Sequence, residues 1–289
     1  MISYLKAIPY FIGWRIIRFL PAPIAYSLFY FIGDKLSTGD GKSVSRLRGN
    51  LARVRPNSSA EELETLMKSA MRSYMRYWCD TFRSPGWSKE RITSTVTVFN
   101  EHLIMNPLNA GKGVVVALPH SGNWDHAGSY FCIKGARLVT VAEHLKPEAI
   151  FNKFLSYRQK IGMEVLALDS RSIVTLLKRA KEGGLIAIVA DRDLSESGIE
   201  VDFFGHRAKM PAGPALIAIK TGVELLTASV TYTDTGIHIY FRRVEIPEEG
   251  SESERVSATV QLIAHNFETG IASHPQDWHM LQKIWLDLP

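Results

Sequence analysis

Cysteine is scarce in this sequence and long uninterrupted apolar runs are missing. Only two cysteines, Cys79 and Cys132, occur in 289 residues. That is too few for a disulfide framework, and both stand in apolar helical contexts expected of buried thiols in a reducing compartment. The longest uncharged stretch near the N-terminus, residues 19–33, has 15 residues including Pro21 and Pro23. A spanning helix needs about 20 apolar residues, so no transmembrane segment is expected. A signal peptide also fits poorly, because the run 7–14 is broken by Arg15 and no A-x-A site follows. Repeats, low-complexity tracts and Pro/Gly/Ser-rich linkers are absent, and residues 1–289 therefore read as a single domain.

Acidic residues are depleted at one end. Residues 1–55 hold nine Lys or Arg against Asp34 and Asp40, a local charge of +7, which leaves −2 for the remainder of a chain of net +5. The same region is rich in Phe, Tyr, Ile and Leu. Two short amphipathic helices within residues 4–32 are expected to lie on an anionic membrane surface, with the basic side chains facing the headgroups. Packing of these helices onto the rest of the domain is compatible with that. Bulky aliphatics suit lipid better than base stacking, so a nucleic-acid partner is not expected.

What is present centres on residues 113–128, GVVVALPHSGNWDHAG. Residues 114–118 form a continuous apolar run suited to a strand buried on both faces of a parallel sheet. Pro119 ends the ladder, and Ser121, Gly122 and Asn123 are turn and N-cap types that start a helix over 124–133. His120 then stands at the C-terminal mouth of a strand, where open α/β sheets place their ligands. His120 and Asp125 can meet if the first sits in the loop and the second in the first helical turn. A carboxylate against an imidazole fixes its tautomer and strengthens it as a general base. A metal site of His120, Asp125 and His126 is the weaker alternative, because adjacent helical residues point in different directions. Ser121 as a nucleophile lacks the Gly-x-Ser-x-Gly elbow of a hydrolase.

Around this stretch the periodicity changes repeatedly. Ser59 and Glu62 form a capping box before a long helix whose stripe includes Leu63, Met67, Tyr74, Tyr77, Trp78 and Phe82. Val96 and Val98 alternate as a strand, and 101–110 reads as a short helix. Strands at 138–142, 164–168 and 185–190 alternate with helices at 147–161 and 170–182, the signature of βα units. The strand 185–190 empties into Asp191, Arg192 and Asp193. A strand over 200–204, a helix over 211–221, an antiparallel pair at 223–232 and 237–244, and a helix over 253–272 follow. The expected fold is α/β, a central mixed, largely parallel sheet flanked by helices, with N-terminal amphipathic helices.

His120 to Asp125, H-S-G-N-W-D, resembles the H-x-x-x-x-D motif of the lysophospholipid acyltransferase superfamily in its bacterial form. That branch holds the late acyltransferases of lipid A synthesis and the phosphatidylinositol mannoside acyltransferases. The resemblance covers nearly the whole chain, including a tail similar to the branch's P-x-x-W ending, and implies a glycerolipid acyltransferase-like fold. It implies transfer of a long acyl chain from acyl-CoA, a co-substrate rather than a bound cofactor, to a mannose hydroxyl of phosphatidylinositol mannoside. A peripheral enzyme at the cytoplasmic face of the cell membrane is expected. His120 would be the base, with the orienting carboxylate supplied by Asp125 of the motif or, as in a His–Glu relay, by Glu200 or Glu196. Arg158 would bind phosphate or carboxylate. Asp191, Arg192 and Asp193 stand where the superfamily usually has an E-G-T-like block and are candidate substrate contacts. Glu224, at the head of an apolar strand, is a candidate contact for acyl-CoA. Trp124, Tyr130, Phe131, Phe203 and Phe204 are candidates to line the chain groove. Alternatives are a lipid A type or other lysophospholipid acyltransferase, and a non-catalytic lipid-binding membrane protein.

Overall fold

The computed structural model describes residues 13–142, 148–167, 172–193, 195 and 197–287. The expectations that fall on residues 1–12, on 147, on 168 and 170–171, and on Glu196 lie outside the described residues.

The run of five apolar residues forms β2 (Val114–Leu118), buried at every position. It is the middle strand of a seven-stranded sheet. On one side it pairs in parallel with β5 (Leu185–Val189), followed by β3 (Leu138–Ala142) and the edge strand β4 (Glu164–Ala167). On the other it pairs in parallel with β8 (Glu224–Tyr232), whose antiparallel neighbour β9 (Ile237–Arg243) carries the edge strand β1 (Val96–Phe99). The sheet is mixed and mostly parallel, as the βα alternation predicts.

Alternation along β2 divides the core in two. Val115 and Ala117 face a cluster with Ala215, Ile217, Val260, Ile263 and Phe267, contributed by α9 (Gly213–Thr221) and α10 (Glu252–Ser273). Val114, Val116 and Leu118 face Ile92, Ile104 and Phe131, carried by α4 (Lys89–Ser94), α5 (His102–Asn109) and α6 (Trp124–Ile133). Helices thus cover both faces of the sheet, and α7 (Glu148–Lys160) and α8 (Ser172–Lys181) stand between β3 and β4 and between β4 and β5 in the chain.

Ahead of α4 in the chain stand α1 (Ala22–Ser37), α2 (Lys42–Val54) and α3 (Ala60–Arg83). The capping box that opens α3 is formed: Glu62 N donates to Ser59 Oγ (3.2 Å) and Ser59 N to Glu62 Oε2 (2.7 Å). Helix α2 departs from the expectation of a membrane-facing basic region: its Val44, Leu47 and Leu51 pack on Met67, Ala70 and Met71. Helix α1 lies against α3 through Ala25, Phe29 and Cys79. Gly33 brings the two backbones together: a Cβ there would lie 3.0 Å from the Met71 carbonyl oxygen. The outer side of this region is apolar. Phe19 is 71% and Phe31 60% exposed, and Ile16, Ile24, Leu28 and Leu36 join them. Ile24, Leu28 and Phe31 are spaced to form one stripe of α1. No helix among the described residues is long and apolar enough to cross a membrane.

A second departure concerns residues 199–210. The strand expected at 200–204 is β6 (Ile199–Phe203), and it turns through Phe204 and Gly205, both at positive φ, into β7 (His206–Met210). The resulting hairpin is separate from the main sheet. Residues 185–210 therefore contain one strand more than periodicity suggested.

Candidate active site

Parallel pairing builds the site. Leu118 of β2 is level with Val189 of β5, and two residues further along each chain stand His120 and Asp191. Ala190 N still donates to the Leu118 carbonyl at 2.9 Å, but Pro119 carries no N–H to extend the ladder, and just beyond it the two chains are joined through the Asp191 side chain. His120 Nδ1 lies 2.6 Å from Asp191 Oδ1, and His120 N donates to Asp191 Oδ2 at 2.9 Å. Asp191 is fully buried, whereas the His120 side chain keeps 27% of its exposure. The pairing makes Nδ1 the donor and leaves Nε2 as the basic nitrogen. Burial alone would push the Asp191 carboxyl up. The charge of His120 and the bonds from His120 and Trp278 outweigh it and hold this carboxyl below the ordinary carboxylate range.

The turn that follows needs Gly122. Its φ is +56°, and a Cβ would stand 2.6 Å from the Val230 carbonyl oxygen. Asn123 then caps α6, its Oδ1 accepting from His126 N at 2.9 Å. In the first turn of α6, Asp125 points away from His120. It accepts a two-pronged contact from Arg158 (Nε to Oδ1 2.7 Å, Nη2 to Oδ2 3.1 Å) and a bond from the Tyr77 hydroxyl at 3.1 Å. Burial, followed by the Asp125 charge, raises the Tyr77 hydroxyl well above its ordinary range, so it remains a donor. The expected meeting of His120 with Asp125 is thus corrected: the carboxylate facing the imidazole comes from the neighbouring strand.

Arg158 and Asp125 belong to the wall of an apolar cavity of about 690 Å³, part of it open to solvent. It lies between the sheet and α6, lined by alternate strand residues, among them Val116, Leu118, Ala187 and Val230, and by Trp124 and Phe131 of α6. Trp124 connects the cavity with the histidine, its ring meeting that of His120 edge to face at 5.5 Å.

The remaining candidates are scattered. Glu200 lies on an outward position of β6, pairs with Arg207 across the hairpin and is not against His120; Val201 and Phe203 take the inward positions. Glu224 is level with Val114 at the start of β2, the opposite end of the strand from His120, and pairs with Arg243 at 3.1 Å. Asp193 Oδ1 accepts from Ser195 N at 2.7 Å and shapes the loop into the hairpin. Arg192 follows Asp191 and is half-buried. Phe203 and Phe204 pack on Trp278, and Phe203 also stacks on Trp285, while the Tyr130 hydroxyl donates to Glu101; none of the three lines the cavity. His126 is buried 3.1 Å from the Ile92 carbonyl oxygen, and its ring is pushed below the ordinary imidazole range by burial. It is not gathered with His120 and Asp125. Ser121 is buried and bridged to Trp278. Trp278 is the tryptophan of the P-x-x-W ending and Tyr77 belongs to the stripe of the long helix, but nothing in the sequence indicated that either reaches this site.

The fold and the site define an α/β protein with a histidine–carboxylate pair linked through Trp124 to an apolar cavity. The sequence profile of the family described as bacterial lipid A biosynthesis acyltransferase matches residues 1–287. Among similar proteins, the phosphatidylinositol mannoside acyltransferase of Mycolicibacterium smegmatis is 38% identical over 282 residues, covering 96% of this chain and 90% of that protein. Proteins of the same description from two strains of Mycobacterium tuberculosis are 37% identical over 285 residues, covering 96% of this chain and 87% of theirs. The chain belongs to the bacterial lipid A biosynthesis acyltransferase family, and it is an acyltransferase.

Proposed function

We propose that the protein transfers a long fatty acyl chain from acyl-CoA to a mannose hydroxyl of a phosphatidylinositol mannoside, with His120 as general base. The observation that carries this reading is the His120–Asp191 pair, joined through the Trp124 ring to the apolar cavity. The acceptor is suggested by the relatives, all three of which carry that description. His120 Nε2 takes the proton of the acceptor hydroxyl as its oxygen attacks the thioester carbonyl. Asp191 holds the ring and stabilises the imidazolium. As the tetrahedral intermediate collapses, the C–S bond breaks and the thiolate takes the proton back, so that no covalent enzyme intermediate is required. The cavity holds the acyl chain, at about 0.8 kcal/mol per buried methylene.

The outer stripe of α1, with Arg15, Arg18 and Lys35 close by, supports docking on an anionic membrane surface at its cytoplasmic face. Arg15 and Arg18 stand 5.7 and 5.9 Å from the Phe19 ring, and Lys35 5.7 Å from that of Phe31. Aromatic and basic side chains are thereby set side by side, as an interfacial helix requires. The family description favours a lipid A type acceptor as the second reading. Purified protein given a long-chain acyl-CoA and either mannosylated phosphatidylinositol or a lipid A precursor, with products read by mass spectrometry, separates the two. Acylation of the mannoside alone is expected; acylation of the lipid A precursor alone would reassign the acceptor. His120→Ala should reduce turnover about 10²- to 10⁴-fold without unfolding, and full activity of that variant would remove the base from the mechanism.

A further inference from the structure

The segment after α10 crosses the loop that carries His120. Gly122 N donates to the Asp277 carbonyl at 2.9 Å, His279 N donates to the His120 carbonyl at 2.7 Å, and Ser121 bridges Trp278 in an antiparallel sense. This strap brings the fully buried Trp278 against the carboxylate, and its Nε1–H donates to Asp191 Oδ2 at 2.8 Å. Oδ2 is the oxygen that also accepts from His120 N, so Oδ1 is left to face Nδ1. The terminal torsion of an aspartate is broad and roughly two-fold, and two donors on one oxygen remove that freedom.

The geometry points to Trp278 as a positioning residue of the acyl transfer: its indole N–H fixes the plane of the Asp191 carboxylate and sets how strongly that carboxylate draws on the imidazole. Trp278 does not line the cavity and acts only through Asp191. The inference rests on the reading of His120 as base. Without the indole donor the carboxylate carries its charge less comfortably and holds the Nδ1 proton more tightly. A carboxylate free to rotate also orients the imidazole less well.

Two replacements of Trp278 test this in the full-length protein. Trp278→Phe removes the donor with some volume. Benzothienylalanine at position 278 keeps the ring size and replaces N–H by sulfur, so the test survives if the phenylalanine variant folds poorly. The expected result is a kcat about 10- to 100-fold lower with KM nearly unchanged, and an acidic limb of the pH profile moved upward by about half a unit or more. The low-field proton resonance of the His120 Nδ1–H should move as well. Trp285→Phe is the control. Trp285 is equally buried and donates to Asn50 Oδ1 at 2.7 Å, away from His120, so its loss should lower the unfolding temperature and leave the limb in place. Wild-type kcat, an unmoved limb and an unmoved resonance with benzothienylalanine would overturn the assignment. Full activity of His120→Gln would instead discard the base itself, and the resonance would still report whether Trp278 sets the Asp191 bond.

Discussion

Asp125 and Asp191 are both carboxylates close to His120 in the chain or in space, and their surroundings separate them. Asp191 carries the imidazole, whereas Asp125 neutralises Arg158 in the cavity wall. Asp191→Asn is expected to keep the fold and to lower turnover by roughly two orders of magnitude or more, because an amide can present its N–H to Nδ1 and select the wrong tautomer. Asp125→Asn should act first on stability. It leaves the guanidinium of Arg158 with only a neutral partner in a largely enclosed position, a loss of about 3 kcal/mol, readable as a lower denaturation midpoint. If Asp125→Asn kept full stability while Asp191→Asn kept full activity, the division of labour would be reversed. The H-x-x-x-x-D spacing located the site and not the pair. A spacing along one chain segment says which residues share a turn. The partner of His120 is set by the register of β2 with β5, 71 residues away in sequence.

At the scale of elements, the outer stripe of α1 can be tested separately from the chemistry. Burying a large apolar side chain is worth about 1.5–3 kcal/mol. Replacing Ile24, Leu28 and Phe31 together by Ser should therefore reduce sedimentation with anionic liposomes at least 100-fold, while activity on detergent-dispersed acceptor persists. Added salt should weaken wild-type binding further through the nearby basic residues; liposome binding unchanged by the triple substitution would place the contact elsewhere. At the other end of this region, Ser59→Ala removes the cap of α3 and should cost about 1 kcal/mol. Both α3 and α6 were legible because caps and apolar periodicity agree in them. The hairpin of β6 and β7 was half legible: in HRAKM only Ala208 and Met210 point inward, and charged residues between them hid the alternation. The strap of residues 277–279 gave no periodic sign at all, since its contacts are backbone bonds to a distant loop.

For the molecule as a whole, buried histidines set the response to acid. Burial, and then the charge of His120, push the His279 ring from 6.5 to about 3, and His126 shifts in the same direction through burial. Both are neutral in the fold. As pH falls below 6.5 the unfolded chain binds protons that the folded chain refuses. Stability therefore declines toward acid, for His279 approaching about 1.4 kcal/mol per pH unit between 6.5 and about 3, with His126 adding to the decline in the same direction. Urea unfolding at pH 7.5 and 5.5 should show this decline, and His279→Gln should flatten it; an equal slope in the variant would exclude His279 as its source.

The close seat of Gly33 on Met71 has a consequence of its own. Because α1 is seated closely on α3, and α3 reaches Asp125 and Trp124 through Tyr77, a protein docked through α1 as proposed would hold His120 at a set altitude above the headgroups. A sugar standing too close to the lipid plane, or too far from it, would pass the imidazole by.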